Sequence, residues 1–531
     1  MTFLFQGISV SPGVPREEVI DIARRRLRAA LPSSAALSIY RRSVDARKKK
    51  DVRLVYTVAA SGSFSARERE RLLSLGCTLL SEEMPTPVPG NTRLSAPPLV
   101  VGTGPAGLFS ALLLAEAGYA PIVLERGGDA YERKAAYDTF CRDRILDPNT
   151  NIQFGAGGAG TFSDGKLVTR VNDPLAAYVL SRFVEFGAPA DIMTEARPHI
   201  GTDLLLGVVT AMLARIEAAG GRVLYHTTFL RPILSEGRVC GVLTSRGEIP
   251  CGALVLAVGH SARDTYKNLL AEGLSIEAKA FSVGLRIEHA ADDIDRALYG
   301  DFAGHPDLGR ASYNLSSDTD SRGVYTFCMC PGGTVVAASS EEGGVVVNGM
   351  SERSRAGRNS NAALAVSVFR EDYGAAPEAA IDFQRRIERA AFAAGGGDYA
   401  APLSTVGDFL AGKRGTDPSR ILPTYMGGNG TRLASPSDYL PPFVTAALSR
   451  GILAFERRIA GFSASDAILT GAETRTSAPI RILRNEARVA IGQDNFYPVG
   501  EGAGYAGGIT SAALDGLRTA MEIIGRYRPL L

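Results

Sequence analysis

Hydrophobic and polar residues alternate in three stretches near the start of the chain, which read FLFQGISV, LSIYRR and VRLVYTVA. This alternation is the period of half-buried β-strands. Between and after these stretches, residues 16–30 and 66–75 carry apolar positions at helical spacing. The pattern predicts a small α+β, ferredoxin-like domain over residues 1–82.

A proline-rich stretch over residues 83–97 follows this domain. Proline fixes φ and has no N–H to donate, so it neither continues a helix nor pairs inside a sheet. The stretch predicts a linker, and a chain beginning near Ser95 is expected to bind its ligand without the first domain.

Beyond the linker, residues 98–127 read as a buried strand, a glycine turn, an apolar helix ending at Gly118 and a second strand. Strand-like runs continue to about residue 258, and a strand, a glycine-rich turn and a helix return after Asn495. The pattern predicts one α/β domain in two parts, residues 98–276 and 471–531. Residues 277–470 are expected to form an inserted α+β cap domain.

The glycine turn has the spacing GxGxxG, and it consists of Gly102, Gly104, Pro105, Ala106 and Gly107. Glycines at these positions permit a tight turn and close approach of a pyrophosphate to the N-terminus of the helix. An acidic residue about 20 positions later binds the adenosine ribose in such folds. Glu125, followed by Arg126, occupies that position and is expected at a surface strand end.

The C-terminal segment YPVGEGAGYAGGITSAALDGL resembles the part of flavoproteins that binds the ribityl chain and the flavin ring. Gly500 and Glu501 stand at the ribityl position, where most flavoproteins have aspartate instead of glutamate. Gly507, Gly508 and Ile509 open the last helix, whose N-terminal dipole would stabilise reduced flavin. The segment favours FAD over NAD, and Gly259 ends a strand expected beneath the cofactor.

Several motifs together resemble the broad bacterial family of uncharacterised FAD-dependent dehydrogenases. They are GTGPAG, FGAGGAGTFSDGKL, AVGHSARDT, TFCMCPGG, GAETRTSAPIRI and GEGAGYAGGI, with YRRSVDARKKK in the first domain. The resemblance implies a Rossmann-like FAD-binding domain of the two-dinucleotide-fold type. It also implies a second glycine loop against the flavin, formed by Gly157, Gly158 and Gly160, with Ser163, Asp164 and Lys166 beside it.

Candidates for proton transfer and substrate binding are few. His260 follows a predicted strand and would titrate near neutral pH, unless it is structural. Arg475 and Arg481 suit an anionic substrate or flavin oxygens, although bracing of loops is an equal alternative. Cys328 and Cys330 are expected to be buried structural cysteines, since one intervening residue matches neither CxxC nor a metal site. No metal is expected.

Composition narrows the class of protein further. The 531 residues carry a formal charge of only +2, and the six cysteines do not form a secreted disulfide pattern. The sequence shows no signal peptide and no span of membrane length, so it predicts a cytoplasmic protein. RRRLR and DARKKK make the first domain basic, which favours a solvated face over a nucleic-acid site.

The sequence therefore predicts an FAD-dependent oxidoreductase, a dehydrogenase or reductase, that transfers a hydride between a small organic substrate and the flavin. No second βαβ unit with a GxGxxG nucleotide fingerprint follows the first, so NAD(P)H is expected only as a transient partner beside other electron donors or acceptors. The inserted domain is expected to select the substrate. Two alternatives are a flavin monooxygenase and a flavoprotein that associates with RNA or a carrier protein through its basic first domain.

Overall fold

The computed structural model describes residues 1–82, 84–168, 173–319 and 322–530, so Glu83 of the predicted linker lies outside it. The first domain consists of β1 (Thr2–Val10), α1 (Arg16–Leu27), β2 (Ala36–Asp45), β3 (Arg53–Ser61), α2 (Ala66–Ser74) and β4 (Thr78–Leu79). Its sheet has the order β2-β3-β1-β4, and every pair is antiparallel. This is the predicted ferredoxin-like arrangement.

The first domain packs closely against the rest of the chain. Its buried Val19, Leu54 and Val58 belong to the same hydrophobic cluster as Tyr299 and Leu308 of the inserted region. The backbone of Arg42 also exchanges hydrogen bonds with residues 194 and 196, at 2.6 and 2.8 Å. The linker therefore connects the remainder of the chain to a domain that shares a hydrophobic cluster with it, and ligand binding by a chain that begins near Ser95 stays a prediction.

The next elements form the first part of the α/β domain. They are β5 (Thr92–Arg93), β6 (Pro98–Val101), α3 (Pro105–Glu116), β7 (Ile122–Leu124), α4 (Ala130–Asp143), α5 (Ala176–Glu185), α6 (Thr202–Ala218), β8 (Arg222–Leu224), β9 (Phe229–Ser235), β10 (Arg238–Thr244), β11 (Gly247–Pro250), β12 (Ala253–Leu256) and α7 (Arg263–Ala271). Strands β9, β10 and β11 make a separate antiparallel sheet.

The inserted region and the C-terminal part complete the chain. They contain β13 (Ile276–Ala278), β14 (Phe281–Ala290), α8 (Ala291–Tyr299), β15 (Ser316–Thr319), β16 (Arg322–Cys330), β17 (Thr334–Ala337), β18 (Val347–Met350), β19 (Asn359–Val368), α9 (Arg370–Tyr373), α10 (Pro377–Ala394), β20 (Ala401–Thr405), α11 (Val406–Ala411), β21 (Thr431–Leu433), α12 (Pro442–Glu456), β22 (Ile468–Glu473), β23 (Ile480–Ile482), β24 (Phe496–Pro498), α13 (Ile509–Arg526) and β25 (Tyr527–Arg528).

A five-stranded parallel sheet with the order β24-β12-β6-β7-β8 forms the centre of the α/β domain. The chain builds outwards from β6 in one direction and then in the other, which creates a switch point between β6 and β12. Strand β24 comes from the C-terminal part, so the two parts share one sheet. This is the predicted Rossmann-like fold with an insertion.

The inserted region forms a seven-stranded sheet with the order β15-β16-β19-β14-β22-β20-β21. Two predicted boundaries cut through elements. The one at 470 falls inside β22, which pairs with β14 of this sheet, and the one at 276 falls inside β13, which pairs with β23. In the described residues, no helix has the length and apolar content needed to cross a bilayer.

Candidate functional site

A large cavity of about 1180 Å³ lies at the carboxyl ends of β6, β12 and β24, beside the switch point of the parallel sheet. The predicted residues that line it are Gly102, Gly104, Pro105, Ala106, Glu125, Arg126, Gly158, Gly160, Ser163, Asp164, Lys166, Gly259, His260, Arg475, Gly500, Glu501, Gly507, Gly508 and Ile509. Gly107, Gly157 and Arg481 do not line it.

The turn between β6 and α3 brings backbone to the cavity wall. A Cβ atom at Gly107 would lie 1.9 Å from the carbonyl oxygen of Gly102, so only glycine allows the helix to start this close to the strand. Gly104 is the N-cap of α3, and Pro105 is its first residue. The unpaired N–H groups of the first turn therefore begin at the cavity.

Glu125 lies at the end of β7, but it is not at a surface. Its side chain is 4% exposed, and its carboxylate accepts hydrogen bonds from the backbone N–H groups of Thr103, Gly127 and Gly155 at 3.2, 3.1 and 3.0 Å. The Thr103 hydroxyl also donates to it. Glu125 thus ties three loops together at the cavity edge, a contribution that the strand-end pattern did not indicate.

The second glycine loop also reaches the cavity, through Gly158 and Gly160. Gly157 instead packs inwards, where a Cβ would lie 2.4 Å from Thr161 and 3.0 Å from Val209. Its N–H donates to the hydroxyl of Thr103 at 3.1 Å, which joins the two glycine loops. Thr103 occupies a variable position of the fingerprint, so no sequence signal marked this contact.

Asp164 follows the second loop and is 1% exposed. Its carboxylate accepts a hydrogen bond from Arg355 Nε at 3.0 Å and pairs with Lys166 Nζ at 3.0 Å. Burial alone would raise the pKa of Asp164, but Lys166 and Arg355 lower it to about 2. Asp164 is therefore an ionised group that positions cations at the cavity, and Arg355 is a lining residue that sequence reasoning missed.

The C-terminal segment forms another part of the wall. Helix α13 begins at the cavity after Gly507 and Gly508, where a Cβ at either glycine would meet no atom within 4 Å. Glu501 is half-buried, and no side-chain hydrogen bond from the described residues reaches its carboxylate. Burial raises the pKa of Glu501 to about 7, with Lys279 opposing and Cys328 adding to the shift.

His260 lies on the opposite side of the switch point from the fingerprint turn. Its Nδ1 is 2.9 Å from Ser261 Oγ, and that hydroxyl donates to Gln153 Oε1 at 3.2 Å. Burial and the positive charges of Arg475 and Arg263 lower the pKa of His260 to about 3. The expectation of titration near neutral pH is therefore wrong, because the imidazole stays neutral.

Arg475 reaches the cavity wall while its guanidinium is held by a buried ion-pair cluster. It is 6% exposed and donates from Nε and Nη2 to Glu388 at 3.2 and 3.1 Å. Arg263 donates to the same carboxylate from Nη1 and Nη2 at 2.8 and 2.7 Å. These contacts therefore fit the alternative predicted from the sequence, in which the arginine braces a loop. The partners Arg263 and Glu388 are distant in sequence, and no motif marked them.

Cys328 and Cys330 were both expected to be buried structural cysteines, and the structure places only one of them so. Cys330 is fully buried, as expected, but Cys328 is only partly buried and lines the cavity. Within the described residues, no group of three His, Cys, Asp or Glu side chains is arranged to hold a metal ion.

The arrangement fits a dinucleotide. Two helix N-termini open onto one cavity that exceeds the roughly 300–1,000 Å³ of common ligand sites. A Cβ at Gly104 would have its nearest neighbour 4.0 Å away, which leaves the backbone open to a phosphate. Glu125 and Arg126 lie near the first helix, while Gly500 and Glu501 precede the second. These groups could hold the two ends of FAD.

Two family models match the chain. One, described as "FAD-dependent protein, C-terminal domain-like", covers residues 280–476, and one described as "FAD binding domain" covers residues 95–142. An uncharacterised protein from Clostridium beijerinckii is 43% identical over 510 residues, which are 95% of this chain and 95% of that protein.

Solved structures of lower similarity also match. The L-amino acid deaminase from Proteus vulgaris is 13% identical, with 84% of this chain and 97% of that chain covered and a TM-score of 0.34. Glycine oxidase from Bacillus cereus is 10% identical, with 82% and 99% covered and a TM-score of 0.35. These low scores carry no inference about activity. The family models and the Clostridium relative show that the chain belongs to a family of FAD-dependent oxidoreductases, with FAD as its cofactor.

Proposed function

We propose that the protein transfers a hydride between a small organic substrate and FAD. The observation that carries this proposal is a cavity with two kinds of wall. One wall contains the glycine turns and helix N-termini suited to FAD, and the other contains Tyr325, Phe327 and Cys328 of β16 in the inserted region. A substrate between these walls would lie against the cofactor, because both walls border the same space.

The inserted region supplies the groups that would select this substrate. Phe327 is 43% exposed and offers an apolar surface. Ser312, Asn314 and Asn348 add neutral polar groups to the same cavity. Apolar surface with a few polar groups is the usual composition of a site for a small organic molecule. We therefore infer that substrate choice belongs to the inserted region.

FAD supplies the hydride chemistry when it is bound, and the chain provides the surroundings. Neutral His260 presents an uncharged imidazole to the cavity, while Glu501 has a pKa of about 7 and can hold a proton near neutral pH. We propose that electrons reach or leave the protein through a separate donor or acceptor, with NAD(P)H as a transient partner. The proposal is supported by the sequence, in which the GxGxxG at residues 102–107 belongs to a βαβ unit and no second unit of that kind is evident.

The test is anaerobic reduction of the purified flavoprotein by a panel of metabolites, NADH and NADPH, followed by flavin absorbance. We expect metabolites of one chemical class to reduce, and so bleach, the flavin rapidly. Alternatively, metabolites that contain a reducible double bond should reoxidise the reduced flavin. NADPH alone should act slowly. Substrate-dependent NAD(P)H consumption with incorporation of oxygen into the product would instead identify a monooxygenase and overturn the proposal.

A pair of variants tests the role of the inserted region. Phe327→Ala removes an exposed ring from the cavity wall, whereas Phe369→Ala removes a ring of similar exposure, 39%, that does not line the cavity. We expect Phe327→Ala alone to change the substrate concentration needed for half-maximal flavin reduction. Equal effects of both variants would contradict the assignment.

A further inference from the structure

Two cysteines of the inserted region meet at the wall of the FAD cavity. Cys328 and Cys330 end strand β16, and Cys328 lines the cavity. The two thiols interact, since each is the largest cause of the shift in the other's pKa. The Sγ of Cys330 also lies 3.3 Å from the carbonyl oxygen of Cys328.

The backbone at this pair is irregular. Strand β16 pairs regularly with β19 from Val324 to Phe327, and the register then shifts before Cys330 pairs with Asn361. Cys328 has a φ of +45°, a left-handed conformation that is costly for a residue with a Cβ. Such a bulge redirects side chains. Here it accompanies a thiol that faces the cavity.

Two cations flank the pair. Arg286 is fully buried and donates from Nη1 to the carbonyl oxygen of Cys328 at 2.9 Å. Lys166 donates to the carbonyl oxygen of Met329, the residue between the cysteines. Glu473 pairs with Arg286, and Asp164 pairs with Lys166, so each cation also has a carboxylate partner. Positive charge beside a thiol favours its thiolate.

The two thiols are not equivalent. The hydrogen bond from Cys330, together with Lys166 and Arg286, holds the pKa of Cys328 well below its usual range. The same contact and burial raise the pKa of Cys330. One accessible thiolate and one buried thiol are the two partners that disulfide formation requires. The charge of Cys328 raises the pKa of Glu501. The cysteine pair therefore lies near the part of the cavity wall that the C-terminal segment forms.

We propose that Cys328 and Cys330 form a dithiol–disulfide couple that exchanges two electrons with FAD. In the oxidative direction, an S–S bond forms and the S–H bond of Cys330 breaks. The two electrons and that proton pass to oxidised FAD, which becomes the singly protonated, anionic reduced form. The reverse direction returns them to the disulfide. The proposal depends on FAD as cofactor and is independent of which organic substrate the protein uses.

Differential alkylation tests the couple in the wild-type holoprotein. Trypsin releases residues 323–353 as one peptide, in which Cys328 and Cys330 are the only cysteines. Samples with fully oxidised and fully reduced flavin are quenched in acid, alkylated and analysed by mass spectrometry. We expect no alkyl group on this peptide in the oxidised sample and two in the reduced sample. Two alkyl groups in both samples would overturn the proposal.

An anaerobic dithionite titration gives a second measurement. The oxidised wild-type holoprotein should consume twice as many electrons per FAD as FAD alone requires, because a disulfide is also a two-electron couple. Cys328→Ser and Cys330→Ser should consume only the electrons of FAD, while the exposed-site control Cys240→Ser should match the wild type. Equal consumption by the wild type and both cavity variants would overturn the proposal.

Discussion

At the scale of single residues, Glu125 has two roles, one structural and one in cofactor binding, whereas the sequence pattern predicted only the binding of the ribose. Its carboxylate accepts backbone hydrogen bonds from Thr103, Gly127 and Gly155, and it lines the cavity where the adenosine ribose is proposed to bind. Removal of the carboxylate in a Glu125→Ala variant would leave these N–H groups without their acceptor. The substitution should therefore lower the stability of the fold as well as the affinity for the cofactor.

We predict that Glu125→Ala weakens FAD binding by about tenfold to somewhat over a hundredfold, since hydrogen bonds to a charged group contribute about 1.5–3 kcal/mol. It should also lower the unfolding midpoint of the apoprotein. Glu125→Gln should lose less, because its amide oxygen still accepts. Fluorescence titration of apoprotein with FAD measures the affinity. Glu248→Ala, an exposed carboxylate of the same domain, is the control, and unchanged affinity in Glu125→Ala would refute the ribose assignment.

Glu501 links the stability of the apoprotein to pH. Its folded-state pKa is about 7, above the ordinary value of 4.5. The folded state therefore binds the proton more tightly than the unfolded state. This contribution is fully present below about pH 4.5 and is lost as the pH rises through 7. At about 1.4 kcal/mol per pKa unit, the loss is on the order of 3 kcal/mol.

We predict that, relative to Glu501→Gln, the free energy of unfolding of the wild-type apoprotein falls between about pH 5 and pH 8. The lowered pKa of His260 acts in the opposite direction below about pH 6.5, but it does so equally in both proteins, so the difference between them isolates Glu501. Urea unfolding followed by circular dichroism at several pH values measures this difference. Glu248→Gln should retain the wild-type slope. Identical slopes in the wild type and in Glu501→Gln would show that this carboxyl does not titrate in the predicted window.

At the scale of elements, helices α3 and α13 begin at the same cavity and pack against each other. The hydroxyl of Ser110 in α3 donates to the carbonyl oxygen of Gly516 in α13 at 2.8 Å. Both N-termini therefore direct positive dipole ends and unpaired N–H groups into one space. This shared orientation explains how residues 406 positions apart in sequence belong to helices that contribute to one cofactor site.

We predict that Gly507→Val blocks the cofactor without disturbing the apoprotein. A Cβ at Gly507 meets no atom within 4 Å, so the added side chain would occupy space that FAD needs. FAD affinity should fall on the order of tenfold, or about 1.4 kcal/mol, with unchanged apoprotein unfolding. Gly525→Val at the other end of α13, also free of neighbours within 4 Å, is the matched control. Equal FAD affinities in the two variants would exclude FAD from the space beside Gly507.

At the scale of the whole molecule, the first domain and the inserted region share a hydrophobic core. We predict that a chain beginning at Ser95 is less stable than the full chain, because apolar residues such as Tyr299 and Leu308 become more exposed to solvent when the first domain is absent. The thermal midpoint of the holoprotein should fall by on the order of 5 °C or more. A truncated chain that binds FAD with the full-length midpoint would restore the separable domain predicted from the linker.

The cofactor elements could be predicted because their chemistry is local. The spacing from Gly102 to Gly107 requires glycine for close backbone approach, and Glu125 follows on the next strand. The contacts of Arg475 could not be predicted in the same way. Its partner Glu388 and their neighbour Arg263 come from separate elements, and no spacing rule relates them. The pKa of His260 depends on the arginines of the same cluster, so the sequence did not predict its neutral state either.

The sequence by itself determined the ferredoxin-like first domain, the split α/β domain and FAD, because strand and helix periodicity and glycine turns depend on neighbouring residues. Tertiary structure decided which parts share a core, where Glu125 is buried and which cysteine reaches the cavity. Burial and charge at these positions arise from elements far apart in the chain. Cys328 lies beside Lys166 and Arg286 only after β16 has paired in the sheet and the bulge has formed.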